Sequence, residues 1–132
     1  MLKHIAVVVF VPFFAMGFVY DDPTPTMVAS FYATGKTTAN GEVFDPSGMT
    51  AAHRMLPFGS LIRVRNTANQ QEIIVRINDR GPYVHGRSLD LTIGAAKQLG
   101  MIEDGLAEVV VAVLLRGPGP KSARAVELIS SR

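Results

Sequence analysis

Two aspartates of this chain have the residue type and the flanking residues that acid–base chemistry requires. Asp90 lies between Leu89 and Leu91 on a predicted strand, where poor solvation would raise its pKa and keep a proton on the carboxyl group. Asp79 precedes Arg80 in a predicted turn, and a nearby guanidinium would favour the ionised carboxylate. Two carboxyl groups in opposite protonation states are the usual equipment for cleaving a glycosidic bond. Each also has a structural alternative, because Asp79 could cap its turn and Asp90 could bind backbone amides ahead of a helix.

Further polar and aromatic candidates precede or accompany these aspartates. Glu42 and Asp45 lie in one glycine-containing segment, and His53 lies in the next. A histidine there could orient an aspartate, bind a hydroxyl group or move a proton, although a lone histidine is more often structural. Tyr32 and Tyr83 could offer flat faces to a sugar ring, and packing in the core or at a rim suits them equally well. Together these residues predict a polar cleft on an apolar frame.

Composition excludes several classes of site. The chain has no cysteine, which excludes a disulfide framework, thiolate metal sites, a cysteine nucleophile and the attachment of a lipid anchor at an export signal. It has no His-x-His or His-x-x-x-His spacing, no phosphate-binding loop and no dinucleotide fingerprint, so we expect neither a metal nor a cofactor. A net charge of +2 without a Lys/Arg stripe does not indicate nucleic-acid binding.

The first residues have the pattern of an export signal. Lys3 is followed by an uncharged run over residues 5–19, which is too short for a spanning helix of about 20 apolar residues. Ala15 and Gly17 have the spacing that a signal peptidase prefers, which predicts a cleaved signal over residues 1–17. The alternatives are a buried N-terminal strand and a retained anchor. We expect an exported protein.

Apolar periodicity and turn residues define the elements that must position these side chains. Alternation of apolar and polar residues predicts half-buried strands, and the continuous apolar run at residues 107–115 predicts a fully buried one. One helix is predicted over residues 93–99, with Thr92 as its N-cap and Gly100 as its stop. The predicted strands cover residues 28–32, 61–66, 72–78, 88–91 and 107–115. Several short strands with one clear helix point to a small β-barrel.

The chain has room for one domain. We assign residues 18–26 to an extended N-terminal segment, residues 27–116 to the barrel domain and residues 117–132 to a C-terminal tail. The tail opens with Gly-Pro-Gly-Pro, which can continue neither a strand nor a helix. The rest of it is too short for a second domain and would form one short helix or none.

Several segments resemble the rare lipoprotein A family of bacterial cell-wall enzymes. They read ASFY at 29–32, TANGE at 38–42, TAAH at 50–53, LP at 56–57, VRINDRGP at 75–82 and DLT at 90–92. The resemblance covers roughly residues 28–114. It implies a six-stranded double-psi β-barrel with one or two short helices and an endolytic peptidoglycan lytic transglycosylase. The two aspartates also look like those of expansins and of lytic transglycosylase A.

The resemblance also implies how the residues act. Such enzymes cleave between N-acetylmuramic acid and N-acetylglucosamine without consuming water and leave a 1,6-anhydro ring. The catalytic candidates are Asp90 as the acid, Asp79 as its partner or alternative, His53 and Glu42. The candidates for substrate binding are Asp45, Tyr32, Tyr83 and Arg80. The implied partner is a peptidoglycan glycan strand.

The chain departs from the family in ways that shape the expectations. It lacks the lipid-bearing cysteine and the C-terminal peptidoglycan-binding domain of many members, and residues 33–36 are short where relatives have a longer, glycine-rich loop. We expect a monomer without a stable membrane anchor, in the periplasm or outside the cell at the wall. Two other functions stay open: a non-catalytic, expansin-like module that binds or loosens the wall, and a hydrolase that uses water, as in barwin-related endoglucanases.

Overall fold

Six strands and one helix form the part of the chain that the computed structural model describes, residues 25–118. The predicted signal segment, and the predicted tail from residue 119 onward, lie outside the described residues. The elements are β1 Thr26–Tyr32, β2 Thr50–Ala52, β3 Leu61–Asn66, β4 Glu72–Asp79, β5 Leu89–Thr92, α1 Ile93–Leu99 and β6 Ala107–Leu115. Within residues 25–118, no helix is long and apolar enough to cross a membrane.

The strands close into one barrel in the order β1-β5-β2-β4-β3-β6. The pairs β1–β5 and β2–β4 are parallel, and the other four pairs are antiparallel. Closure gives each of these six strands a paired neighbour on both sides, so the ring can hold side chains in fixed positions on its surface. The predicted mainly-β class, with six strands and a short helix, is confirmed.

The predicted alternation on β3 and β4 fills the barrel. Ile62 and Val64 of β3 are fully buried, as are Val75 and Ile77 of β4, while Ile73 is nearly so. Burying one such side chain stabilises the fold by about 1.5–3 kcal/mol. These residues therefore form the rigid apolar frame that the sequence predicts.

Strand β2 is the element that the sequence analysis missed. Its three residues include Ala51 and Ala52, and alanine has a low strand propensity. Both alanines are nevertheless buried, because β2 is held between β4 and β5. Neighbouring strands, rather than its own composition, make this segment extended.

The prediction that β6 is fully buried is wrong. Val109 is buried, but Val113, Leu114 and Leu115 are 50%, 47% and 58% exposed. One face of every barrel strand points outward, and among the described residues β6 pairs with β1 only as far as Val110, so that its C-terminal half has β3 alone beside it. A continuous apolar run therefore does not imply burial on both faces here.

Helix α1 begins and ends where its cap residues predict. The Thr92 hydroxyl accepts a hydrogen bond from the backbone N–H of Ala95, and Gly100 adopts the left-handed conformation with φ of 71°. The same hydroxyl donates to the carbonyl oxygen of Gly48. Since Thr92 is also the last residue of β5, the cap fixes the end of the strand that carries Asp90.

Candidate active site

Strand β2 brings the two candidate aspartates to the two sides of one alanine. In the strand register, Ala52 pairs with Asp79 of β4 and with Asp90 of β5. Neighbouring strands lie about 4.8 Å apart, so the two aspartate Cα atoms are separated by about 10 Å. Paired residues on neighbouring strands point to the same face of the sheet. The barrel therefore presents both carboxyl groups on one surface.

Both aspartates line an open pocket of about 340 Å³. Loops after β1 and β4 complete its walls. The wall also includes Tyr32, Phe44, Ala52, Arg80 and Tyr83. The pocket thus combines two carboxyl groups with aromatic rings, as expected of a carbohydrate site.

Asp90 is half-buried and has a raised pKa, as the sequence predicts. Burial is the largest cause, and the charge of Asp79 adds to it. A hydrogen bond of 2.9 Å from the Ser30 hydroxyl to Oδ1, and the charge of Arg87, act in the opposite direction on this pKa. The carboxyl group accepts no backbone N–H among residues 25–118, so the structural alternative of capping the helix does not apply to it. Thr92 has that role instead.

The Asp79 carboxylate accepts three hydrogen bonds. Its Oδ1 accepts the backbone N–H groups of Ala39 and Arg80, each at 2.9 Å. Its Oδ2 accepts the Tyr32 hydroxyl at 3.3 Å. An ionised carboxylate, which only accepts, suits such a set of donors. The bond from Arg80 shows that Asp79 also has the turn-capping role considered as an alternative.

Arg80 does not support Asp79 in the way that the sequence suggests. Its guanidinium makes no ion pair with that carboxylate; Nη1 donates instead to the carbonyl oxygens of His53, at 3.1 Å, and Leu56, at 2.9 Å. The guanidinium carbon also lies 3.8 Å from the centre of the Phe58 ring, an attractive cation–π geometry. The expected guanidinium–carboxylate contact is therefore replaced by a backbone one, and Arg80 fastens the loop beside the pocket.

Tyr32 joins an aromatic wall to one of the carboxylates. Its ring stacks on Phe44, with centroids 4.9 Å apart and an interplanar angle of 26°. Burial, followed by the charge of Asp79, raises the pKa of the Tyr32 hydroxyl, which therefore remains a donor at neutral pH. Sequence reasoning missed Phe44. Its position between Glu42 and Asp45, two residues that were singled out, was the available signal.

The other predicted binding residues divide between the pocket and its surroundings. Tyr83 lines the pocket and is 78% exposed, so its ring is free to meet a ligand. Asp45 is exposed and does not line the pocket. Its Oδ1 accepts the backbone N–H and the hydroxyl of Ser47, at 3.0 and 2.8 Å, which lower its pKa. The contacts of Asp45 are those of a turn.

His53 closes a turn next to the pocket and is not among the lining residues. Its Nδ1 accepts the backbone N–H groups of Met55 and Leu56, at 3.1 and 3.0 Å, which assigns the ring proton to Nε2. Burial and the charges of Arg54 and Arg80 lower its pKa, so the ring is neutral at neutral pH. Its backbone N–H donates to the carbonyl oxygen of Asp79 at 3.2 Å. His53 thus contacts the site through the backbone.

Glu42 also lies outside the pocket lining, in an ion pair with Arg76. Both carboxylate oxygens accept the guanidinium, and the side-chain amides of Asn40 and Asn78 donate to them at 2.8 and 3.1 Å. The bonds from Arg76 are the main cause that lowers the Glu42 pKa to about 2. A carboxylate held so firmly in its ionised form is a poor proton donor. It fixes the loop that carries Ala39 to the barrel.

The site has the parts for acid–base chemistry on a glycosidic bond. One carboxyl group with a raised pKa can hold a proton, and a second carboxyl group, which accepts three hydrogen bonds, lies across Ala52 from it. Among residues 25–118, no three His, Cys, Asp or Glu side chains form a group that could hold a metal ion.

Sequence comparison relates the chain to proteins that act on peptidoglycan. A family profile described as lytic transglycolase matches residues 24–111. A probable endolytic peptidoglycan transglycosylase RlpA of Nostoc sp. is 54% identical over 94 residues, which cover 67% of this chain and 25% of that protein. The endolytic peptidoglycan transglycosylase RlpA of Pseudomonas aeruginosa is 52% identical over 86 residues, covering 63% of this chain and 25% of that protein. The chain thus spans about a quarter of the length of these relatives.

Solved structures share the fold at low identity. The Streptomyces papain inhibitor superposes with a TM-score of 0.56 and 18% identity, over 69% of this chain and 94% of the inhibitor. The Clavibacter michiganensis expansin superposes with a TM-score of 0.57 and 17% identity, over 72% of this chain and 52% of the expansin. These likenesses concern the fold alone, and they confirm the predicted double-psi β-barrel.

Proposed function

Since this chain belongs to the lytic transglycolase family, whose profile matches residues 24–111, we propose that it is an endolytic peptidoglycan lytic transglycosylase. It would cleave the glycan strand between N-acetylmuramic acid and N-acetylglucosamine. The observation that carries the proposal is the pair Asp79 and Asp90 on one pocket wall, with a raised pKa at Asp90. The relatives named endolytic peptidoglycan transglycosylase support the same substrate.

Asp90 supplies the proton in this mechanism. Its carboxyl proton moves to the glycosidic oxygen, the bond from the muramic acid C1 to that oxygen breaks, and the N-acetylglucosamine side leaves with a free 4-hydroxyl. The 6-hydroxyl of the same muramic acid then bonds to C1, and its proton returns to the Asp90 carboxylate. The product carries a 1,6-anhydro ring, no water is consumed, and the enzyme ends in its starting protonation state.

Asp79 and Tyr32 stabilise the charge that develops. The sugar becomes positively charged as its C1–oxygen bond breaks, and a fixed carboxylate in the pocket stabilises that charge electrostatically. The hydrogen bonds from Ala39, Arg80 and Tyr32 hold the Asp79 carboxylate in one orientation. Asp79 is therefore the electrostatic partner, and it is the alternative acid if Asp90 is not.

The remaining candidates have supporting or binding roles. Glu42 holds the loop that brings the Ala39 N–H to Asp79, and His53 holds the turn whose carbonyl oxygens bind Arg80. Tyr32 and Tyr83 offer ring faces to the sugars, while Arg80 forms part of the wall. Asp45 would contact only a glycan that extends beyond the pocket.

Peptidoglycan lies outside the cytoplasmic membrane, so the proposed activity requires export. The predicted signal over residues 1–17 supports delivery to the periplasm or the wall. N-terminal sequencing of the protein from its native host should give a chain that begins near residue 18. A cytoplasmic protein that still begins at Met1 would contradict export.

An expansin-like module that binds or loosens the wall without turnover is the second candidate, because an expansin shares this fold and a fold does not by itself specify turnover. Mass spectrometry of muropeptides after incubation with purified peptidoglycan separates the candidates. The transglycosylase produces 1,6-anhydro ends, a hydrolase that uses water produces reducing ends, and an expansin-like module produces neither. Reducing ends or no products would overturn the proposed function.

A further inference from the structure

Ser30 is a buried hydroxyl group beside the proposed acid that the mechanism above does not use. Strands β1 and β5 pair in parallel with Ser30 opposite Asp90. The Ser30 side chain is only 4% exposed, and its Oγ donates to Asp90 Oδ1 at 2.9 Å. Among the described residues it is the only hydrogen-bond donor to this carboxyl group.

Strand β1 carries two hydroxyl groups, and each donates a hydrogen bond to one of the two aspartates. Ser30 and Tyr32 are two residues apart on the strand and so point to the same side of it. Ser30 donates to Asp90, and Tyr32 donates to Asp79. Asp90 is left with one oxygen, Oδ2, that has no partner within residues 25–118.

We propose that Ser30 is a positioning residue of the reaction: its hydroxyl occupies Oδ1 of Asp90, so that Oδ2 carries the proton that reaches the glycosidic oxygen. The inference rests on the proposed function and deepens it. It assigns the reactive oxygen of the acid and gives a role to the serine of the ASFY segment.

The direction of the hydrogen bond follows from the burial of Ser30. If the Asp90 proton lay on Oδ1, it would point at Ser30 Oγ, and the serine hydrogen would need another acceptor. Within the described part of the chain, Asp90 Oδ1 is the only acceptor that it reaches, and a buried hydroxyl without an acceptor destabilises the fold. The proton is therefore favoured on Oδ2, and the Asp90 side chain is held in one rotation.

Three substitutions of Ser30 separate hydrogen bonding from packing. Ser30→Ala removes the donor, Ser30→Cys keeps the shape with a weak donor, and Ser30→Thr keeps the hydroxyl. Ser88→Ala is the matched control, because Ser88 has no side-chain hydrogen bond in the described structure and lies two residues from Asp90. For each protein we would measure kcat and KM for anhydro-muropeptide release from pH 4 to 9, together with a thermal melt.

Ser30→Ala and Ser30→Cys should lose about 10- to 100-fold in kcat with little change in KM, because a misplaced catalytic group slows chemistry more than binding. Ser30→Thr should recover most of the rate, and Ser88→Ala should equal the unmodified protein. The Ser30 bond opposes the rise in the Asp90 pKa, so Ser30→Ala should move the pH at which the rate falls to a higher value. The other groups that act on Asp90 are Arg87, Asp79 and Tyr32, which these variants leave unchanged.

Unchanged kcat and pH profile in Ser30→Ala would overturn the inference. A packing role would lower kcat equally in all three Ser30 variants, in parallel with their melting temperatures. That result would also overturn the inference.

A titration of the Asp90 side-chain carbon by NMR tests the inference without activity. The Asp90 pKa in Ser30→Ala should lie above that of the unmodified protein, and equal values would contradict the proposal. If the unmodified protein releases no anhydro products, the proposed function fails. The titration then still decides whether Ser30 controls the Asp90 carboxyl group.

Discussion

Asp79 and Asp90 lie on either side of Ala52, and the chain surrounds them differently. Asp79 is the last residue of β4, and its carboxylate accepts hydrogen bonds from two backbone N–H groups of the neighbouring loops. Asp90 is inside β5, between β1 and β2, where pairing of the strands occupies the backbone groups. Only a side chain, that of Ser30, reaches it.

The difference shows how one barrel can give two residues of one type different hydrogen-bond donors and different burial. At the end of a strand, backbone N–H groups are available to donate to a carboxylate. In the interior of a strand, pairing occupies these N–H groups, and the carboxyl group is buried. Position along the strand, rather than distance from other charges, is then the main variable.

Asp90→Asn should have the largest effect on activity. It keeps the side-chain shape but removes the transferable proton, so anhydro-muropeptide release should fall by about 10²–10⁴-fold. In the unmodified protein, release should also fall as the pH rises through the raised Asp90 pKa, because only the protonated form is active. Normal release by a folded Asp90→Asn protein would move the acid role to Asp79.

The stability of Asp90→Asn tests the raised pKa of Asp90 independently of activity. Burial raises the Asp90 pKa above its unfolded value of about 3.8, so ionising Asp90 destabilises the folded state as the pH rises from about 3.8 through the raised pKa. Asparagine does not ionise, so Asp90→Asn does not lose stability in this way. A thermal melt at pH 7 should therefore place Asp90→Asn at or above the unmodified protein, and a clearly lower melting temperature would contradict the account of Asp90.

Asp79→Asn should reduce release by about 10²-fold, as expected when one electrostatic partner of a few kcal/mol is lost. The double variant with Asp90→Asn should be little worse than Asp90→Asn alone, because the two residues act as one unit. Losses that simply multiply would show two independent roles. Release is measured for the two single variants and the double variant on the same peptidoglycan preparation.

Tyr32→Phe should have a smaller effect, about 10-fold in kcat, because it removes one hydrogen bond to a charged group and keeps the stacked ring. Asp79 would retain its two backbone donors. If the loss equalled that of Asp79→Asn, the tyrosine hydroxyl would control Asp79 more than the backbone does. Steady-state kinetics of the single variant decides between these outcomes.

Glu42→Gln should affect stability more than chemistry. The Glu42 pKa is lowered to about 2, so the ion pair with Arg76 stabilises the fold above about pH 4.5 and is lost as the pH falls through 2. Both side chains are more than a third exposed, and solvent screening reduces the expected loss at pH 7 to about 1–2 kcal/mol. Denaturant unfolding at pH 7 and pH 2 should show the difference shrinking at low pH.

Glu103→Gln, a change at an exposed residue, is the control for that measurement. It should leave the free energy of unfolding unchanged at both pH values. An equal loss in the two variants would show that the ion pair of Glu42 is not the cause.

Much of the fold could be predicted from local patterns. The alternation in β3 and β4 and the caps of α1 depend on neighbouring residues, and their prediction is confirmed. Strand β2 could not be found in this way, because pairing with β4 and β5, and not alanine propensity, makes it extended. The exposure of Leu115 likewise depends on strand pairing, because only β3 pairs with β6 at that position.

Five of the predicted site residues line one pocket, and their contacts could not be predicted. The raised pKa of Asp90 follows from its apolar flanks, which the sequence contains. The bonds of Glu42 to Arg76 and of Ser30 to Asp90 join residues 34 and 60 positions apart. Such pairs depend on strand register, which a single sequence does not specify.

A substrate that does not need an acid tests the central claim, that Asp90 is the proton donor. Nitrophenolate leaves a sugar without protonation and can then accept the proton of the 6-hydroxyl that closes the ring, so a peptidoglycan oligosaccharide ending in N-acetylmuramic acid nitrophenyl glycoside would bypass both proton transfers of Asp90. If Asp90 is the proton donor, Asp90→Asn should release nitrophenol within about 10-fold of the unmodified protein, although it has lost about 10²–10⁴-fold on peptidoglycan. Equal losses on the two substrates would contradict it.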